Sequence, residues 1–337
     1  MLAEVSEKKM TFTPAALEID AEAEARRIEG SIKEQILRKL KRRGAVLGVS
    51  GGIDSSVCLA LCVNALGPDR VVALMMPEAD SDPESLRLGK MVADAYGVQT
   101  IVEDISPILK GAGCYSRRDF FIRQVVPEFA DNWKCKIALQ DAQGGAYNIF
   151  RIVVQSPDGA MTTARLPLEP YLGIVAATNM KQRTRKQLEY YHADRLNMAV
   201  IGTPNRLEYD QGFFVKNGDG SADLKPIAHL YKTQVYRMAE VLGVPEEIRL
   251  RPPTTDTYSL PQSQEEFYFS LPYDKMDLCL WGVNHGIAPS DVARAAGLTA
   301  EQVQRANRDI DSKRKTTAYQ HARPLLVEPV REVCNID

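Results

Sequence analysis

Ser50-Gly51-Gly52-Ile53-Asp54-Ser55-Ser56 is the stretch with the clearest chemistry. It follows the apolar run Ala45 to Val49, which includes Gly48, and precedes the helix-like segment Val57 to Val63. Strand, glycine turn and helix in that order place backbone N–H groups and a helix dipole at one point, which suits an anion. Two glycines let the backbone come close to the ligand, and Ser50, Ser55 and Ser56 add hydroxyls. A Walker loop is excluded, because no lysine precedes the serines. Asp54 stands there instead. A carboxylate faces a phosphate only with a cation between them. Glu208, which follows a Gly202-Thr203 turn, is available as the second acid.

The elements that must hold these residues are legible as repeated β–α units. Val71 to Met75 is a buried-strand run, Val98 to Val102 and Met198 to Ile201 are a third and a fourth strand, and Asp82-Pro83 has the cap and first-turn proline of a helix. Strands alternating with helices predict an α/β fold with a doubly wound parallel sheet, and ligands at the carboxyl ends of its strands. A helix is expected from Asp20, its end marked by Arg38 to Gly44, and another over Met180 to Leu196. Tyr147 to Val154, a turn at Pro157-Asp158-Gly159 and Met161 to Leu166 read as a hairpin. Tyr231 to Leu242 is a further helix. Residues 257–272 read as polar and mobile, and two short helices follow Ser290, the second opened by a Thr299-x-x-Gln302 capping box. The expected organisation is an N-terminal arm, residues 1–19, and one domain, residues 20–337, with an insertion at about 111–172.

The 337 residues are 45% hydrophobic and 26% charged, with a formal net charge of −2, so a polyanion-binding surface is not expected. No apolar run is long enough for a membrane span, and the first twenty residues lack the pattern of a signal peptide. The six cysteines contain no C-x-x-C pair; Cys58 and Cys62 read as buried apolar residues, and a reducing cytoplasm is expected.

The S-G-G-x-D-S loop resembles the pyrophosphate loop of the ATP-pyrophosphatase family. Four further stretches narrow the resemblance to the ammonia-dependent NAD synthetases: Asn179 to Arg185; Gly202-Thr203-Pro204-Asn205-Arg206-Leu207-Glu208; Gly212 to Asp223; and Leu230-x-Lys232 with Pro253-Thr254-x-Asp256. This resemblance covers roughly residues 20–110 and 175–317. It implies an ATP- and Mg²⁺-dependent ligase that adenylates the carboxylate of deamido-NAD and amidates it with ammonia. By position, Asp54 and Glu208 are implied as metal ligands, with Asp54 and Lys232 as the catalytic pair. Gly48, Ser50, Gly51, Gly52, Asp54, Ser55, Thr203, Lys232 and Thr254 are implied at ATP, and Arg183, Lys216, Asp223 and Lys313 at the dinucleotide, with Asp219 a weaker candidate. The loop from Pro77 to Asp82 is where such a fold meets adenine.

Three departures stand out. Residues 111–172 have no clear counterpart in the short bacterial enzymes. Ser312-Lys313-Arg314 stands where the family has His-Lys-Arg, and Pro204-Asn205-Arg206 replaces the usual residues. The ATP half therefore matches better than the acceptor half, which leaves amidation of another carboxylate open. Fewer than fifty residues precede the loop, too few for a glutaminase domain, which implies free ammonia or a separate glutaminase chain. Relatives are dimers, so a homodimer is implied. A tRNA thiolase of the same superfamily would carry cysteine pairs and basic surfaces, which are missing here. A non-catalytic nucleotide binder would not keep both proposed metal ligands. A helix-turn-helix reading of Asp291 to Lys315 gives way to a C-terminal helical cap, since no base-reading feature supports it. Neither nucleic acid nor membrane is expected as a partner.

Overall fold

The computed structural model describes residues 12–140, 149–253, 257–262, 268–269, 271–330 and 332. Its central sheet has four parallel strands in the order β3-β2-β1-β7. These are β1 (Ala45–Gly48), β2 (Val71–Met75), β3 (Gln99–Val102) and β7 (Ala199–Ile201). The register sets Ala45 against Val71 on one side and against Ala199 on the other. Three of the four strands are buried on both faces, so they read as unbroken apolar runs. Their period of two still sorts the side chains. Ala45, Leu47, Val71, Ala73, Met75, Ala199 and Ile201 join one core with α1 (Ala21–Lys33), α2 (Ile53–Leu66), α3 (Pro83–Ala95) and α8 (Lys232–Leu242). Val46, Val72, Leu74 and Val200 face the other way, toward α4 (Ser106–Gly111) and α6 (Leu168–Leu196). This is the expected doubly wound sheet.

Local signals explain several boundaries. Asp20 caps α1 by accepting from the Ala23 N–H at 3.0 Å, and Asp82 caps α3 with Pro83 at the first position. Cys58 and Cys62 are buried free thiols on α2.

A second sheet, absent from the sequence reading except for its hairpin, is an antiparallel meander of β4 (Lys134–Gln140), β5 (Ile149–Gln155) and β6 (Met161–Arg165). Its core, which includes Cys135, Ile137, Ile152 and Val154, packs with Ile122 of α5 (Cys114–Arg123) and Ile174 of α6. Helix α6 begins at Leu168, twelve residues before the expected Met180. Gly173 and the β-branched Ile174 and Val175 lower its helix propensity, but packing decides: a Cβ at Gly173 would lie 2.2 Å from the Phe121 ring.

The segment after residue 256, expected to be polar and mobile, is largely buried where it is described. Tyr258, Leu260, Gln262 and Phe269 are all in the interior. The reason is pairing with β4: Leu260 N–H donates to the Cys135 carbonyl at 3.1 Å, and Cys135 N–H donates to Ser259 Oγ at 2.9 Å. Within the expected arm, Phe12 is buried and stacks on Trp281, with centroids 5.4 Å apart. That contact joins it to the C-terminal helices α10 (Tyr273–Asn284), α11 (Pro289–Ala296) and α12 (Ala300–His321). Helix α12 opens on the expected capping box, but at 22 residues it is not short. It supplies one wall of the cavity described next.

Candidate active site

The carboxyl ends of β1, β2 and β7 open into one cavity of about 940 Å³. The loop from Gly48 to Ser55 lines it, with Thr203, Glu208 and Lys313. Gly51 holds φ at +75°, where a Cβ would lie 2.7 Å from the Ser85 carbonyl oxygen and 2.8 Å from Leu88 Cβ. Only glycine satisfies both that conformation and that approach to α3. The serines set the turn. Ser50 N–H donates to Ser55 Oγ at 3.3 Å, and the Ser55 and Ser56 hydroxyls donate to the Gly52 carbonyl at 3.0 and 2.9 Å. Helix α2 thus begins at Ile53, with no side chain capping its N-terminus. Its first N–H groups are left for a ligand.

Asp54 lies in the first turn of α2 and meets two distant elements. Lys232 Nζ donates to its Oδ2 at 2.5 Å, and Asn205 Nδ2 donates to its Oδ1 at 3.0 Å. Asn205 also builds the capping box of α7 (Arg206–Gln211): its Oδ1 accepts from Glu208 N–H at 3.2 Å, and its own N–H donates to Glu208 Oε2 at 3.1 Å. One asparagine therefore fixes both acids. Burial, and then the neighbouring Asp54, push the Glu208 carboxyl up to about 8, against the pull of Lys232. Burial opposes the charge on Lys232, yet Asp54 and Glu208 hold its ammonium above the ordinary lysine value. Lys232 is fully buried at the start of α8, whose first N–H groups donate to Asp277 at 3.2 and 2.7 Å. Among the described residues no three acids, histidines or cysteines cluster as a metal cage. Two carboxylates that repel each other beside a phosphate-type loop do fit a hard divalent cation, which completes its shell with water and phosphate oxygens.

The residues assigned to the dinucleotide divide. Lys313 lines the cavity, where its Nζ donates to the Tyr268 carbonyl at 2.6 Å and to Asp309 at 2.7 Å. Burial draws its ammonium below the ordinary value, with Asp309 opposing. Ser312, in the place of the family histidine, lines the cavity beside it. Arg183, Lys216 and Asp223 are not on the cavity wall. Arg183 is exposed and its Nε donates to the Lys216 carbonyl at 3.2 Å. Lys216 Nζ donates to the Tyr319 and Ala322 carbonyls at the end of α12. Asp223 accepts from Val200 N–H at 2.8 Å and from the Tyr190 hydroxyl at 3.2 Å, which fastens the Gly212–Asp223 loop to β7. Asp219 accepts from Val215 N–H inside that loop and lines the cavity. Thr254 lies outside the described residues; its neighbour Pro253 lines the cavity.

Sequence reasoning missed Asn205 and the Lys186–Glu189 pair. The Asn205-x-x-Glu208 capping spacing was the available signal for the first. Lys186 Nζ donates to Glu189 Oε2 at 2.5 Å, and both line the cavity. Glu189 sits so close to the end of β1 that a Cβ at Gly48 would be 2.9 Å from its Oε1. Burial pushes its carboxyl up, against the pull of Lys186.

A family profile described as NAD synthase matches residues 24–120 and 134–324. An NH3-dependent NAD+ synthetase from Rhizobium meliloti (strain 1021) is 62% identical over 97% of this chain and 98% of its own length. One from Mesorhizobium japonicum is 58% identical over 94% of this chain and 99% of its own. Among solved structures, the NH3-dependent NAD synthetase from Campylobacter jejuni superposes with a TM-score of 0.60 at 21% identity, covering 92% of this chain and 100% of that one. The NMN synthetase from Francisella tularensis gives 0.62 at 19%, covering 93% and 100%. At those identities the two structures speak for the fold alone. The profile match runs through β1, β7 and every helix that carries a site residue, and on that ground the chain belongs to the NAD synthase family.

Proposed function

We propose that this protein is an ATP-dependent ligase that converts the carboxylate of deamido-NAD to the amide of NAD with ammonia, releasing AMP and pyrophosphate. The observation that carries the reading is that Asp54 and Glu208 both line the cavity at the Gly48–Ser55 loop, held from behind by the buried Asn205 and Lys232. The acceptor carboxylate attacks the α-phosphorus of ATP, and the bond to the pyrophosphate oxygen breaks. The loop N–H groups and Lys232 stabilise the charge on the departing pyrophosphate. Ammonia then attacks the acyl carbon of the adenylate, AMP leaves with the bond electrons, and the extra proton passes to solvent. No side chain becomes covalently attached. Positioning and fixed charge supply the acceleration. Asp54 and Glu208 would hold Mg²⁺, which supplies charge neutralisation to the phosphate oxygens when bound. The proposal places this chemistry in the cytoplasm, in a homodimer that takes free ammonia or ammonia from a separate glutaminase chain.

One observation favours a second reading, amidation of a different carboxylate: Arg183, Lys216 and Asp223 stand off the cavity wall. The same experiment separates the two. With ATP, Mg²⁺, ammonia and deamido-NAD supplied, AMP and NAD are expected in equal amounts. AMP formed only with another acid supports the second reading. Asp54→Asn is expected to slow pyrophosphate release by about a hundredfold or more. Pyrophosphate release that is unaffected by this change would refute the role of the loop in catalysis.

A further inference from the structure

Two segments close the cavity beyond the phosphate loop. Residues 77–82, after β2, contribute Pro77, Ser81 and Asp82; residues 257–262 contribute Thr257 and Tyr258. Lys181 of α6 stands between them, 1% exposed. Its Nζ donates to Glu78 Oε1 at 2.9 Å and Asp80 Oδ2 at 2.6 Å on the first segment, and to the Thr257 carbonyl at 2.9 Å on the second. An ammonium has three protons, so Lys181 is fully used as a cross-tie between the two segments.

The second sheet and its helix grip the same two segments from outside. Arg118 of α5 donates to Asp80 Oδ2 at 2.5 Å, and the Tyr115 hydroxyl donates to Glu78 Oε2 at 2.8 Å. Strand β4 holds the other segment through Ser259 and Leu260, and Gln262 Nε2 donates to the Ile137 carbonyl at 2.5 Å. Tyr258 is buried in the core of the second sheet. Burial works against the charge on Asp80, but Lys181 and Arg118 hold its carboxyl below the ordinary value. Three acids, Glu78, Asp80 and Asp119, are thus set against two cations, since Arg118 Nε also donates to Asp119 Oδ1 at 2.8 Å. Such a network gives little net stability over an apolar replacement of the same shape, but it fixes geometry closely.

We propose that Lys181 is a positioning residue for ATP, and that the second sheet is the brace that holds residues 257–262 against residues 77–82 through it. The inference rests on reading the cavity as the ATP site. Lys181 is enclosed by its three acceptors, so it acts through the shape of the two segments. Its removal loosens the end of the cavity beyond the phosphate loop and leaves the ammonia step alone.

The test is ATP binding by calorimetry, with Mg²⁺ and no acceptor, joined to steady-state KM values for ATP and ammonia. For Lys181→Met, Kd and KM for ATP are expected to rise about tenfold or more, and KM for ammonia to stay within about twofold. Tyr115→Phe removes the hydroxyl's bonds to Glu78 and Ala79 N–H, and Ser259→Ala the one to Cys135 N–H, at the edge of the network; each should raise Kd for ATP about threefold. The double variant Lys181→Met/Glu78→Gln loses one charge of each sign, and serves where the single lysine variant does not fold. Unchanged ATP affinity in all of these, with only a lower melting temperature, would reduce Lys181 to a structural ion and overturn the inference. Failure of the unaltered protein to bind ATP would instead remove the ATP reading itself, and the inference with it.

Discussion

Replacing Glu208 with glutamine tests the site at its most strained charge. In the metal-free protein, burial and Asp54 push this carboxyl from an ordinary 4.5 up to about 8. The fold therefore prefers the protonated form. The stability this group contributes is complete below the ordinary value and is lost as pH rises through the folded value, because the unfolded chain ionises first. A displacement of that size is a loss of about 5 kcal/mol in full, of which about 3 kcal/mol falls between about pH 5.5 and 8.5. Glutamine keeps the shape and can still accept from Asn205 N–H, but it cannot ionise. Glu208→Gln should therefore gain on the unaltered protein by about 3 kcal/mol over that pH range. The assay is urea unfolding in chelator, followed by tryptophan fluorescence, on both proteins at both pH values. Burial also raises the Glu189 and Asp219 carboxyls, but those are common to both proteins and cancel in the comparison. Adding Mg²⁺ at the higher pH should stabilise the unaltered protein and have much less effect on the variant. A gap between the two proteins that does not change with pH would refute the placement of Glu208 beside Asp54 in a dry site.

Two other substitutions separate ligand contacts from scaffolding. Gly51→Ala puts a methyl group against the Ser85 carbonyl in a left-handed backbone, and should cost about 2 kcal/mol or more of stability and abolish ATP turnover; a thermal melt and an AMP assay check both. Asp223→Ala leaves Val200 N–H without its side-chain partner, so about 1–3 kcal/mol of stability should go while KM for the acceptor stays within about twofold; a large KM effect at unchanged stability would return Asp223 to the substrate.

The phosphate loop and the four parallel strands were legible because their signals are local. Strands β1, β2 and β7 are covered on both faces and so are apolar along their length, whereas β3 is mostly exposed and shows only Ile101 and Val102; a glycine turn before a helix is visible within seven residues. The first third of α6 was not legible, since Gly173 and two β-branched residues speak against a helix until Phe121 is laid over them. Strand β4 carries three polar residues in seven, and only pairing with β5 on one side and contact with residues 259–262 on the other explains it. The site divides along the same line. Asp54 and Glu208 were legible as candidate acids because each follows a recognisable turn, and both line the cavity. Arg183, Lys216 and Asp223 came from motif spacing, which says that a residue matters without saying whether it faces the ligand or the scaffold. Lys186 and Glu189 are three apart on a helix, a spacing that ordinarily marks a solvated ion pair. What buries them is the end of β1, about 140 residues away in sequence.

The pairing of charges in and behind the cavity bears on why a cation belongs there. Lys232 lies on Asp54, Lys186 on Glu189, Lys313 on Asp309, and Arg251 on Asp82. Each of these cations already has an acid against it, so together the pairs add almost no net positive charge. They are held in position by their partners, which is what fixed charge needs in order to act without reorganising during reaction. A nucleoside triphosphate entering such a cavity finds the N–H groups of the α2 start ready for it, but those carry only partial charge. Arg185, which also lines the cavity and donates to the Met76 carbonyl at 3.3 Å, can meet part of the rest; what remains falls to loosening ion pairs, which is costly for the buried ones, or to a cation that arrives with the nucleotide. On the function proposed above, Asp54 and Glu208 would receive that cation, which would relieve the carboxyl of Glu208 that burial first, and Asp54 second, push up.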